Sequence, residues 1–236
     1  PSVCEELARS VRQTWELGTD PIPNMTQLLE QHGIKVLLLP LPERVDGLTC
    51  LVYRPKKAAV PCIVVNQKMT LERRRLTLAH ELGHRFIDPD SPVSSEKAAN
   101  RFAGAFLMPA DHLQEEIGKS RHTLGYREIV QLKRIYRVSA ASMLLRFSHL
   151  GIISQAALVH AFQTVAKEWR KMEPEPLEPP ESRGQEETPS RFERFCYRAL
   201  AEDLISLPKA AELLQKPVSE IEVALNGPGR SDASCN

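Results

Sequence analysis

Apolar residues recur at helical spacing near the start of the chain, at Leu7, Val11 and Trp15 with Val3 before them. They predict a helix over residues 2–18 that stops at Gly18-Thr19-Asp20-Pro21. Asn24 or Thr26 can cap a second helix, which ends at Gly33. Three β-rich runs follow, Ile34 to Leu39, Leu48 to Tyr53 and Cys62 to Val65, separated by a turn over residues 40–47 and a loop over residues 54–61. They predict a small, mostly antiparallel sheet. From Thr70 the period becomes helical, with helices expected over residues 71–87, 95–107, 110–117, 126–136 and 139–150. Pro109 and Gly125 mark breaks, Ser139 a cap and Gly151 a stop. Strands first and helices afterwards make the fold class α+β.

Composition changes this picture in one place. Between Glu173 and Ser190 stand five prolines and six glutamates with almost no apolar side chain. Such a stretch buries too little surface to offset chain entropy and predicts a flexible linker. The expected organisation is an N-terminal helical segment over residues 1–33, a main domain over 34–172, the Pro/Glu-rich linker over 173–190 and a small helical module over 191–236.

A formal net charge of +1 over 236 residues is too balanced for a dedicated nucleic-acid binder, while 42% hydrophobic residues suffice for a core. Cys4, Cys50, Cys62, Cys196 and Cys235 are scattered, odd in number and free of any C-x-x-C pair, which argues against a disulfide framework and for a reducing cytoplasm. With no apolar leader and no run long enough to span a bilayer, a soluble cytoplasmic protein is expected. The chain begins at Pro1 rather than methionine, as a fragment or processed product does.

The chemistry concentrates at His80-Glu81-Leu82-Gly83-His84. On a helix, His80 and His84 project from one face about one turn apart and can reach one zinc ion. Glu81 stands where its carboxylate can act as general base on a water at the metal. A catalytic zinc needs a third protein ligand: Glu96 on the next helix is the leading candidate, and Asp88 and Asp90 in the intervening loop are its rivals. Asn100, four residues after Glu96, can accept a hydrogen bond from a ligand imidazole or serve as an ordinary helix polar residue. Gly83, costly in mid-helix by about 1 kcal/mol, signals a close packing partner.

The run from Thr77 to His84, followed by Glu96-Lys97-Ala98-Ala99-Asn100-Arg101-Phe102-Ala103-Gly104 and Leu107-Met108-Pro109, closely resembles the ImmA/IrrE family of bacterial zinc metallopeptidases. Arg73-Arg74-Arg75, Val64-Val65-Asn66 and the stretch from Leu41-Pro42-Glu43 to Asp46-Gly47 are similar to it too, so the resemblance covers roughly Leu28 to Ile153. It implies zincin-like helices, zinc at His80, His84 and Glu96, catalysis by Glu81, and cleavage of a helix-turn-helix transcriptional repressor. Some relatives carry an N-terminal helix-turn-helix domain, and the region from Trp15 to Ile34 resembles the segment that follows it.

Around that centre, His112, His122, Tyr126 and His149 are candidate oxyanion donors. The run Arg73-Arg74-Arg75 and the basic positions Lys133, Arg134 and Arg137 read as solvated faces. Residues 204–225 have a helix-turn-helix cadence, for which a dimerisation or docking hairpin, giving a homodimer, is the preferred explanation. A substrate stretched along the sheet edge is expected at the strand Cys62 to Val65 or its neighbour. The rival function is a metal-bound sensor that sequesters a regulator without proteolysis; an intact Glu81 favours catalysis.

Overall fold

Several helices start where the sequence offers caps in the computed structural model of the chain, which describes residues 3–87, 95–169 and 171–227. In chain order, α1 (Val3–Thr14) and α2 (Met25–Gln31) precede the strands β1 (Lys35–Leu39), β2 (Gly47–Arg54) and β3 (Lys57–Asn66). Then come α3 (Leu71–His84), α4 (Ser95–Leu107), α5 (Ala110–Ile117), α6 (Tyr126–Tyr136), α7 (Ala140–His149) and α8 (Gln155–Gln163). Asn24 accepts from Gln27 N at 2.8 Å and Ser139 from Ser142 N at 3.1 Å, each satisfying an orphan donor in the first turn. The chain divides into two compact units, Pro1–Thr188 and Pro189–Asn236.

The first unit is α+β, as predicted, but its sheet is mixed rather than mostly antiparallel. The order is β1-β3-β2, with β3 parallel to β1 and antiparallel to β2. β3 inserts between the other two, so the strand that returns from β2 runs alongside β1 in the same direction. The loop expected over residues 54–61 is instead a tight hairpin around Pro55 and Lys56, the latter at φ 58, and β3 begins at Lys57. Lys57, Ala58 and Ala59 have weak strand propensity; pairing to β2, with Val52 opposite Val60, overrides it. Pro61 is tolerated because β1 joins only at Cys62, so β3 has one neighbour at that point.

One face of the sheet meets α3, and α4 packs on α3 in turn. Ile63, Val65, Leu78, Ala79, Leu82, Phe102 and Phe106 are fully buried there, and each large side chain contributes about 1.5–3 kcal/mol. The helix α8 was not anticipated from the sequence; its Leu158 is buried, and Ala157, Ala161 and Phe162 pack beside it on the core. Among the described residues, no helix is long and apolar enough to cross a membrane.

The acidic stretch after Glu173 is docked, not a flexible linker. Glu178 accepts from Leu71 N at 2.9 Å, Glu187 from Met25 N at 2.9 Å and Glu173 from Ala140 N at 2.8 Å, so three of its carboxylates sit on the first turns of α3, α2 and α7. The same groups neutralise a basic seam. Glu178 faces Arg74 at 3.6 Å, Glu187 pairs with Arg75, and Lys133 lies 3.0 Å from Glu173 and 3.1 Å from Glu72. Arg74, Arg75 and Lys133 are wholly buried, which corrects the solvated-face reading at those three positions; Arg73 and Arg134 are exposed, as it expects. Composition counted the acids and the bases separately, whereas the fold brings one set onto the other.

The second unit holds α9 (Arg191–Ala201), α10 (Leu207–Leu214) and α11 (Val218–Asn226), closed on Ala210, Ala211 and Ile221. Its α11 carries Glu220 and Glu222 and no Lys or Arg.

Candidate metal centre

β3 feeds α3 through residues 67–70, where Thr70 caps the helix, and the apolar face of α3 then fixes which side chains point outward. Leu78, Ala79 and Leu82 go to the core; His80 and His84 take the opposite side. The second helix arrives at Gly83. A Cβ built there lies 2.9 Å from Phe102 Cδ1 and 3.3 Å from Ala99 Cα, so α4 approaches to a distance that glycine permits and any side chain resists.

That approach carries Glu96 to the histidines. Glu96 Oε2 is 3.3 Å from His80 Nε2, Glu96 Oε1 is 3.3 Å from His84 Nε2, and the two Nε2 atoms are 3.0 Å apart. One ligand atom from each residue lies within 4.8 Å of the others. Such a set is repulsive unless a cation or a proton sits among its lone pairs, and two imidazoles with one carboxylate are a donor set that suits zinc. Asn100 Oδ1 accepts from His80 Nδ1 at 3.1 Å, which leaves the Nε2 lone pair of that ring facing the cluster.

The electrostatics agree with these roles. Burial, reinforced by the neighbouring His84, holds the His80 imidazole below its ordinary pKa against the opposing pull of Glu96 and Asn100. His80 therefore keeps the neutral, ligating form to lower pH than a free imidazole. Burial pushes the Glu81 carboxyl up, with His84 opposing and Glu96 adding to the rise. Glu81 is only 7% exposed yet lines a cleft of about 470 Å³ together with His80, Glu96, Asn100, Thr77, Leu76, Arg73 and residues 44–47. A carboxylate made more basic by burial, at the floor of an open cleft, is placed to take a proton.

Gly83→Ala tests the helix approach directly. Alanine gains about 1 kcal/mol of helix propensity, but overpacking against Phe102 and Ala99 costs about 1–3 kcal/mol. We expect net destabilisation in urea and weaker retention of zinc against a chelator; a variant more stable than wild type with full retention rules the tight approach out.

His80, His84 and Glu96 come together as the sequence reading anticipates, and Asp88 and Asp90 lie outside the described residues. The four oxyanion candidates do not line the cleft. His112 meets the Tyr136 hydroxyl at 2.6 Å, Tyr126 lies tilted against Trp169 with ring centroids 6.1 Å apart, His149 is exposed at the end of α7, and His122 sits in the loop before α6.

The sequence reading assigned no role to the segment over residues 44–47, which forms the far wall. Asn66 Nδ2 holds it by donating to Leu41 O at 3.1 Å and Val45 O at 3.3 Å, and Asp46 pairs with Arg73 of α3 at 2.7 Å. The available signal was Asp46-Gly47: a Cβ at Gly47 would strike Thr77 Cγ2 at 2.7 Å, so glycine lets the start of β2 cross the metal helix.

A protein-family model, the IrrE N-terminal-like domain of the M78 peptidases, matches residues 29–148, just over half of the chain. The matched span contains both helices of the cluster. No curated protein matches closely enough to count as a relative.

Proposed function

The chain belongs to the M78 peptidase family through its IrrE N-terminal-like domain, and from that premise we propose that it is a zinc-dependent endopeptidase of the cytoplasm that cleaves a helix-turn-helix repressor or similar regulator. The observation that carries the catalytic part is the convergence of His80, His84 and Glu96 beside the buried, raised-pKa carboxyl of Glu81. His80, His84 and Glu96 would hold the metal. Zinc, when bound, supplies Lewis acidity toward a peptide carbonyl and a water. Glu81 takes the proton of the attacking water and delivers it to the departing amide nitrogen. Asn100 fixes the ring of His80, and Arg44 puts positive charge along the cleft wall, where Arg73 is paired with Asp46.

The substrate segment lies along β2. The strand Cys62 to Val65, the other candidate, is paired on both sides and has no free edge, whereas β2 is an edge strand whose first residue, Gly47, lines the cleft. An extended peptide adds to such an edge by main-chain hydrogen bonds with little sequence demand. Selectivity then comes from docking elsewhere, and the regulator as substrate rests on the family resemblance.

Incubating the zinc-loaded full chain with the helix-turn-helix protein encoded beside it, and separately with casein, tests this. Discrete cleavage of the regulator with casein spared is the expected result. Efficient casein cleavage with the regulator intact makes the protein a general peptidase. A stable complex without cleavage makes it a sequestering module.

A further inference from the structure

Two cysteines face one another across the hairpin. Cys50 of β2 is the direct antiparallel partner of Cys62 of β3. Directly opposed residues of antiparallel strands share one face, with Cα atoms about 4.5–5.5 Å apart, inside the window of about 4.4–6.8 Å that a disulfide spans. Both thiols are free, Cys50 exposed and Cys62 only 3% exposed. Their neighbours on that face are the pairs Leu48–Val64 and Val52–Val60, which offer no ligand for a metal. Neither cysteine belongs to the His80–His84–Glu96 cluster.

We infer that Cys50 and Cys62 are a peroxide-sensitive dithiol that closes to a disulfide across β2 and β3. The asymmetry of exposure sets the order of events. The Cys50 sulfur, open to solvent, attacks one oxygen of hydrogen peroxide; the O–O bond breaks, hydroxide leaves and is protonated to water, and Cys50 becomes a sulfenic acid. The Cys62 sulfur then attacks the Cys50 sulfur, the S–O bond breaks, and hydroxide departs with the Cys62 proton as a second water. Two thiols and one peroxide give one disulfide and two waters, with two electrons passing from sulfur to oxygen. Burial and the adjacent Cys50 push the Cys62 thiol up, which makes it a poor first nucleophile toward peroxide.

The bond fastens the free edge strand to the centre of the sheet, three residues along β2 from Gly47 at the cleft. In a reducing compartment it forms under oxidant and is undone by thiols.

The test needs no substrate. The reduced full chain is treated with hydrogen peroxide, denatured, alkylated and digested with trypsin, which places Cys50 in the peptide over residues 45–56 and Cys62 in that over 58–68. We expect these peptides to appear linked, with a loss of about 2 Da per chain for the two thiol hydrogens and reversal by dithiothreitol. In Cys62→Ser, a sulfenic-acid trap such as dimedone should label Cys50 more heavily than in wild type, because the resolving thiol is gone. Separate peptides with Cys62 alkylated, a link from Cys50 to a different cysteine, or dimedone labelling of Cys50 unchanged by Cys62→Ser overturns the inference.

Discussion

Replacing Glu81 by glutamine is expected to lower kcat by about 10²–10⁴-fold while leaving metal content at the wild-type level. The amide fills the same volume at the floor of the cleft but cannot accept the proton of the attacking water. Zinc stays because Glu81 contributes no atom to the convergent ligand cluster. The contrast is Glu96→Ala, which removes one of the three ligand residues and should release the metal along with activity; elemental analysis separates the two variants.

Stability supplies an independent check on Glu81. Its carboxyl is pushed up by burial, so folding disfavours the ionised form. At low pH both states are protonated and the group contributes nothing. As pH rises from the ordinary carboxylate pKa through the raised folded-state value, the unfolded chain ionises first and stability falls. Metal-free Glu81→Gln should therefore match wild type in acid and exceed it above that window. Undiminished cleavage by Glu81→Gln would remove Glu81 from the mechanism altogether.

Local signals carried most of the fold and nearly all of the candidate ligand set. The ends of α4, α5 and α6 follow from Pro109, Gly125 and the apolar spacing, and the i, i+4 histidines needed only a helix to be aligned. Glu96 required a long-range fact, the depth at which α4 packs on α3, and Gly83 announced that fact without naming the partner. What was illegible is what depends on partners distant in sequence. Pairing with β2 makes Lys57 to Val60 a strand, and Asn66 holds a cleft wall more than twenty residues away. The largest such misreading concerned charge: Glu178 and Glu187 look like solvent-exposed linker acids until Arg74 and Arg75, over a hundred residues earlier, are seen to need them.

Glu187→Gln is accordingly expected to destabilise the first unit by about 3–5 kcal/mol, the usual cost of leaving one member of a buried ion pair without its counter-charge. Arg75 is fully buried, and burial dominates the downward push on its pKa with Glu187 opposing it, so the guanidinium depends on that carboxylate for its charge. Glutamine retains a carbonyl for Met25 N, which isolates the loss of charge from the loss of the cap. The control is Asp46→Asn, which breaks the Arg73–Asp46 pair, where the side chains are 62% and 41% exposed and solvent screening limits the cost to about 0–1 kcal/mol. Urea unfolding followed through Trp15 and Trp169 compares the two variants on one scale. Because Glu187 reaches α2 through Met25 and α3 through Arg75, its loss should loosen the helix that carries His80 and His84, and zinc should exchange faster in Glu187→Gln than in wild type. If Glu187→Gln unfolds at the same urea concentration as Asp46→Asn, the acidic stretch is decoration on an already stable domain, and the neutralising role assigned to it here is wrong.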